Sequence, residues 1–372
     1  MFEKFKVPSD LMPSDPRFGV GPSLIPVEHV EKLAQTGKSL LGTSHRKPPV
    51  KNLVKEVQEG IQKYFNLPKD YEVVLGNGGA TFLFDMIGLG LVEKSSLHFT
   101  TGEFSSKWQK AHAKIPGIKA DAKDAGLGNG INPEFAQGYD MICATLNETS
   151  TGVLISELPD ARDKDVLVAV DGTSGAGQIP INLENCDLFF FSPQKIFASE
   201  GGFFVAIMSP KAIKRAEKIA ETERYIPEVM SWKLAIDNSR KNQTYNTPSI
   251  STIFLLNEQL KLMNDLGYEK VIQMANKKAD LIYGWAESKD YLSPYIEDPK
   301  FRSTSVATIN VDERYPVKDL LTVLREQNAA WDIDSYRKLG KNQFRISLFH
   351  NVSYEDLEKL TQILSRAIEE NA

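Results

Sequence analysis

Six short runs between residues 71 and 208 constrain the fold of this chain more than anything else in it. They are Tyr71–Leu75, Ser96–Thr100, Met141–Thr145, Val166–Val170, Leu188–Phe191 and Phe203–Met208. Each is rich in Val, Ile or Phe and apolar on both faces, the pattern of strands in a sheet that is covered on both sides. Several are separated by enough residues for crossover helices, which predicts a mainly parallel α/β sheet. The last pair differs. Only about eleven residues part Phe191 from Phe203, too few for a crossover, so the final run is expected to be antiparallel.

Past residue 255 the pattern changes. Asn264–Lys289 reads as an amphipathic helical region, Ser305–Val311 and Phe344–Leu348 read as strands, and Tyr354–Glu370 reads as a closing helix. Its apolar Leu357, Leu360, Ile363, Leu364 and Ala367 fall at helical spacing. Two strands and two helices make a smaller α/β unit, so 372 residues divide into a large domain, 17–255, and a small one, 256–372. The prolines at 8, 13, 16, 22 and 26 exclude one long N-terminal helix. That segment, 1–16, is expected to drape toward the C-terminal domain and join the two.

A net charge of −5 argues against a broad nucleic-acid surface. No apolar stretch approaches the roughly 20 residues of a membrane span, and the first residues lack the apolar core of a signal peptide. Cys143 and Cys186, the two cysteines, sit in apolar strand-like runs and have the spacing of neither a zinc site nor a disulfide framework. They read as small buried hydrophobes in a reducing compartment, which predicts a cytoplasmic protein without a metal.

Ligands of open α/β sheets bind beyond the carboxyl ends of the strands, so the residues after each run carry the chemistry. Gly76-Asn77-Gly78-Gly79-Ala80-Thr81 follows the first run and leads into an apolar helical stretch. Its free amides suit a phosphate, and an ordinary glycine turn fits as well. Asp171 ends the fourth run and is followed by Gly172-Thr173-Ser174-Gly175. It reads either as a helix cap or as a carboxylate for a pyridinium nitrogen. Ser192-Pro193-Gln194-Lys195 follows the three phenylalanines of the fifth run. A solvated loop lysine is one reading; a lysine against an apolar wall, its ammonium disfavoured, is what Schiff-base chemistry requires. An Asp-ended strand followed by a Lys-ended strand is far more specific than either alone.

With these two positions the chain resembles the class V aminotransferases of pyridoxal-phosphate (PLP) fold type I, and the branch of them that acts on phosphoserine. The matching segments are Gly42-Thr43-Ser44-His45-Arg46, Gly76–Thr81, Asn147-Glu148-Thr149, Asp171, Ser192–Lys195, Asn246-Thr247-Pro248 and Tyr336-Arg337-Lys338-Leu339-Gly340, with Arg345 downstream. They occur in order over nearly the whole chain. The resemblance implies a mainly parallel seven-stranded sheet and a smaller C-terminal domain. It implies PLP on Lys195, which would also shuttle the substrate proton, and Asp171 against the ring nitrogen. Thr149 would meet the ring's 3′ oxygen. Ala80, Thr81, Thr173 and Gln194 would hold the cofactor phosphate, and Asn246 and Thr247 would reach the neighbouring subunit's cofactor in a homodimer. Arg345 would clamp the substrate α-carboxylate.

Three departures modify this. Where members of the family often carry Tyr-Trp, this chain has Glu103-Phe104, so ring stacking falls to Phe104, with Trp108 as a substitute. Ala80 stands where many have Arg, and Tyr336-Arg337 where many have His-Arg. The implied substrates, glutamate and 3-phosphohydroxypyruvate, are both doubly anionic. His45, Arg46 and Arg337 would take their distal groups, although His45-Arg46-Lys47 also reads as a solvated basic loop. Serine– or alanine–glyoxylate transamination is the alternative reaction, and a non-catalytic module of the same fold the alternative class. His98 and His112 read as structural, and no mobile-loop cysteine supports desulfurase chemistry.

Overall fold

Along each central strand, alternate side chains face two different cores. In the computed structural model, which describes residues 2–162 and 164–371, the strands are β1 (Glu72–Asn77), β2 (Ser95–Thr100), β3 (Lys119–Asp124) and β4 (Met141–Thr145). A small hairpin of β5 (Asn147–Glu148) and β6 (Val153–Leu154) follows, then β7 (Leu167–Asp171), β8 (Leu188–Phe191) and β9 (Phe203–Met208). Val168, Val170, Phe189, Phe191, Val205 and Ile207 enter one core, and Leu167, Ala169, Leu188, Phe190, Ala206 and Met208 the other. Period-two alternation with both faces apolar requires cover on both sides, and helices supply it.

The seven strands run in the order β1-β9-β8-β7-β4-β2-β3. β8, β7, β4, β2 and β3 are parallel neighbours, whereas β9 is antiparallel to both β8 and β1. The short Phe191-to-Phe203 connection therefore behaves as its length demands. The strand that the apolar runs did not announce is β3, Lys-Ala-Asp-Ala-Lys-Asp, at the sheet edge. Charged side chains there discourage pairing with another chain, and they also erase the hydrophobic signal.

The helices are α1 (Val27–Gln35), α2 (Pro48–Tyr64), α3 (Gly79–Gly90), α4 (Glu103–His112), α5 (Pro210–Ala220), α6 (Trp232–Ser239) and α7 (Ile250–Leu266). α2 and α7 close one face through Leu53, Val57, Ile61, Leu256 and Leu260. α3, α5 and α6 close the other through Leu83, Ile87, Ile213, Trp232 and Ile236.

In the C-terminal part the expected two strands and two helices become three and three. β10 (Leu292–Pro294), β11 (Val306–Val311) and β12 (Gln343–Ser347) form an antiparallel sheet, with α8 (Tyr268–Glu287), α9 (Val317–Glu326) and α10 (Tyr354–Glu369) around it. β10 is three residues ending in proline, too short to show a period. The single helical region expected over Asn264–Lys289 is broken at Gly267 (φ 83°), where α7 stops and α8 starts. α7 runs through position 255 without interruption.

The N-terminal segment lies along this C-terminal part and then enters the centre of the molecule. Ser14 N–H and Oγ donate to the Asp356 carboxylate at 2.8 and 2.5 Å. Pro16 and Phe18 carbonyls accept from Trp331 and Ser347 amides at 2.7 and 2.9 Å. Among the described residues no helix is long and apolar enough to cross a membrane.

Candidate active site

The carboxyl ends of β4, β7 and β8 open into a cavity of about 330 Å³. Lys195 lies just past β8 and is only 8 % exposed. Its Nζ donates to the Val20 carbonyl at 2.9 Å and to Thr149 Oγ1 at 3.3 Å. Burial, helped by the Arg345 cation, brings its pKa down from 10.5 to about 7, against the pull of Asp171 and Glu148. Lys195 is thus substantially a neutral, nucleophilic amine near neutral pH.

Asp171, the last residue of β7, faces the same cavity and is 3 % exposed. Burial pushes its pKa up to about 6, although Thr173 N–H and Oγ1 both donate to Oδ1, at 2.9 and 2.5 Å. A buried carboxylate with a raised pKa is an anion short of a cation, and a protonated ring nitrogen would supply one.

A third strand end supplies the opposite wall. Thr149 Oγ1 donates to Ser174 Oγ at 2.8 Å, Asn147 Nδ2 donates to the same hydroxyl at 2.8 Å, and Ser174 in turn donates to the Asn147 carbonyl. The amino end of α3 closes one side. Gly79 begins the helix at φ 75°, a conformation costly for other residues, and a Cβ there would stand 3.2 Å from Ser192 Oγ. Its first-turn amides, with those of Ala80 and Thr81, make an anion-binding end. Phe104, from the first turn of α4, covers the cavity with its ring centroid 5.9 Å from Lys195 Nζ.

Of the residues singled out in the sequence, Ala80, Thr81, Phe104, Thr149, Asp171, Thr173, Gln194 and Lys195 all line this cavity. Arg345 approaches from β12, with Nη1 donating to the Thr149 carbonyl at 3.0 Å and its guanidinium carbon 5.4 Å from the Tyr336 ring centre. Its Nε is buried without a partner. Trp108 stays out of the cavity, stacked on Phe84 at 5.5 Å and donating to His112 Nε2 at 2.9 Å.

His45, Arg46, Asn246 and Thr247 collect elsewhere, on a patch outside the cavity. Thr247 Oγ1 is 3.3 Å from His45 Nδ1, Arg46 donates to Gln243 Oε1 and the Tyr245 carbonyl at 2.6 and 3.2 Å, and Asn77 Nδ2 donates to Asn246 Oδ1 at 3.0 Å. Arg337 is exposed on the loop before β12.

Gly21, Pro22, Thr145, Asn147, Ser174 and Ser192, which have no role in the sequence pattern, also line the cavity. Thr145 was within reach of the strand-end argument, since it closes β4. Gly21 and Pro22 come from the N-terminal segment, and no local signal sends them there.

His98, His112 and Cys143 place potential metal-binding atoms within 4.8 Å of one another, all buried. The Trp108 bond makes His112 Nε2 an acceptor, so its Nδ1 carries the proton and donates toward Ser96 Oγ or His98 Nε2 at 3.1 and 3.2 Å. This is a hydrogen-bonded network beneath α4. Cys143 and Cys186 are free and buried, and burial pushes both thiols up.

Among the described residues, three buried oxygens of the cavity have no hydrogen-bond partner, Thr145 Oγ1, Asn147 Oδ1 and Gln194 Oε1. Such groups are rare unless a ligand completes them. A neutral amine, an under-compensated carboxylate, an aromatic cover and a helix amino end suit a phosphorylated heteroaromatic aldehyde. The donors present fit PLP.

Comparison with known proteins agrees. Residues 19–360 match the model of the family described as aminotransferase class-V. A phosphoserine aminotransferase of Corynebacterium glutamicum is 42% identical, over 95% of each chain. The crystal structure of a phosphoserine aminotransferase from Cytophaga hutchinsonii superposes with a TM-score of 0.87 at 27% identity, covering 95% of this chain and 99% of that one. A PLP-bound phosphoserine aminotransferase from Trichomonas vaginalis, at 20% identity, shares the fold with a TM-score of 0.80 over 94% of this chain and 99% of its own.

Proposed function

The chain belongs to the class-V aminotransferases, and we propose that within that family it interconverts 3-phosphohydroxypyruvate plus L-glutamate with 3-phospho-L-serine plus 2-oxoglutarate, a step of serine biosynthesis. It is a PLP-dependent enzyme. The observation that carries the reading is that Lys195 and Asp171 line one cavity, with the Arg345 guanidinium bonded to the carbonyl of Thr149 in its wall. When bound, PLP supplies an aldehyde for amino groups and a ring that draws electrons from the α-carbon.

The protein's own residues do the rest. Lys195 would hold the aldehyde, and its neutral amine is the base for the proton on the substrate α-carbon. Asp171 would keep the ring nitrogen protonated, and the buried site strengthens that pairing. Thr149 would donate to the ring oxygen. Ala80, Thr81, Thr173 and Gln194 would bind the cofactor phosphate. Arg345, held by the Thr149 carbonyl and with Nε unpaired, would fork onto the α-carboxylate.

The patch of half-buried His45 with exposed Arg46, Asn246 and Thr247 supports a homodimer in which these residues complete the partner's pocket. Asn246 and Thr247 would meet the cofactor phosphate there, while His45, Arg46 and Arg337 would bind the substrate's phosphate or γ-carboxylate. Two free cysteines and the substrate class support a cytoplasmic setting. A small uncharged acceptor such as glyoxylate would leave those distal cations without a partner. The test is an aminotransferase assay with glutamate against phosphorylated and unphosphorylated keto acids. Strong preference for 3-phosphohydroxypyruvate is expected; equal turnover of glyoxylate would sink the assignment. Whether 4-phosphohydroxythreonine, of pyridoxine biosynthesis, is also accepted is read from the same panel.

A further inference from the structure

One buried charge at the site has no task in this chemistry. Glu148, on β5 beside Thr149, is fully buried, at 0 % exposure. A carboxylate is tolerated there only if its oxygens are well bonded. Oε2 accepts from Ser105 N–H and Ser105 Oγ, both at 2.9 Å. Oε1 accepts from Phe104 N–H at 3.2 Å and from Ser150 Oγ and N–H at 2.6 and 3.3 Å.

These donors place it at the amino end of α4. The residue before the helix is Gly102, which has no side chain to serve as a cap. A Cβ at Gly102 would stand 2.6 Å from Glu148 Cγ, so the glycine is what admits the carboxylate. The helix is therefore capped from the sheet. Its first turn carries Phe104, the cover of the cavity, while the hairpin that carries Glu148 supplies Asn147 and Thr149 to the facing wall. Glu103, one residue before Phe104, pairs with Lys338, and the Tyr336 ring lies 5.8 Å from that of Phe104. The Phe104 amide itself is bonded to the hairpin through Glu148, while Ser150 Oγ accepts from the neighbouring Glu103 N–H at 3.0 Å.

We propose that Glu148 is a positioning residue: by clamping the first turn of α4 to the β5–β6 hairpin, it seats Phe104 against the face of the cofactor. The proposal rests on the PLP site described above. Glu148 also acts electrostatically on Lys195, Asp171 and Arg345.

The experiment is a double-mutant cycle on the full chain, using Glu148→Gln, Phe104→Ala and the pair. Two quantities are read: the dissociation constant for PLP, and the induced circular dichroism of the bound cofactor's visible band, which reports ring seating. Glu148→Gln is expected to weaken PLP about tenfold and reduce the induced signal in the wild-type background, with less than about a twofold further loss when Phe104 is already alanine. Equal losses in both backgrounds, or none in the wild-type background, would leave Glu148 a plain helix cap and overturn the proposal. If Glu148→Gln does not fold, Ser105→Ala, which removes one Oε2 donor, enters the same cycle with the same criterion. Failure of the unmodified chain to bind PLP would instead overturn the functional reading itself.

Discussion

The cavity and the outer patch contain much the same side-chain types and differ in how they are held. Lys195 and Asp171 are fixed at strand ends and buried, and burial is the largest cause that moves their pKa values toward each other, to about 7 and about 6. His45, Arg46, Asn246 and Thr247 lie at the surface, joined by hydrogen bonds between loops. In the first region the fold of one chain determines the chemistry. In the second, water screens every charge until something covers it. Reactivity is thus built into the monomer, while recognition of the distal anion waits for a second surface.

The sharpest break in that comparison comes at Lys195. Lys195→Ala should lower turnover by roughly 10³-fold or more, since it removes both the cofactor's attachment and the base. Single-turnover assays and loss of the visible cofactor band check it. In the unmodified chain, capture of PLP should rise with pH in proportion to the neutral amine and level off above about 7. An ordinary lysine would keep gaining up to its usual 10.5, so a rise continuing past pH 9 would remove burial as the activating cause.

Asp171→Asn keeps the shape but cancels the charge. Breaking a buried pair costs about 3–5 kcal/mol, so roughly 10²–10⁴-fold is expected in kcat, with cofactor still bound through its phosphate. Arg345→Lys should cost less, about 10- to 100-fold in kcat/KM and chiefly in KM, because an ammonium replaces a planar fork. A larger fall in kcat than in 1/KM would mean that Arg345 acts on the chemistry and not on carboxylate binding.

The same contrast governs what could be read in the sequence. The central strands declared themselves because residues such as Phe189–Phe191 must be apolar on both faces, and strand ends then pointed to Asp171 and Lys195. β3 stayed hidden because an edge strand keeps charge where a central one keeps valine. Gly21 and Pro22 reach the cavity only through the path of residues 14–18 along the C-terminal part, a long-range arrangement with no local signature. Phe104 was reachable by its place after β2. Glu148, one residue from Thr149, was not, since its partners other than Ser150 belong to a helix more than forty positions earlier.

The smallest effect tests the outer patch. The exposed Arg46 side chain donates to Gln243 Oε1 and the Tyr245 carbonyl, so Arg46→Ala should leave the thermal midpoint within about 2 °C. Its KM for the phosphorylated keto acid should nonetheless rise about 3- to 10-fold, with kcat nearly unchanged. Mixing this variant with Lys195→Ala decides which chain's pocket Arg46 serves. If it reaches into the partner's cavity, each hybrid dimer contains one site with both Lys195 and Arg46 intact, and the mixture regains a low-KM component. If Arg46 serves its own chain, no site in the hybrid holds both residues and the high KM persists at every mixing ratio. The second outcome would place the distal anion site within a single chain and remove the contrast between a self-contained cavity and a shared rim.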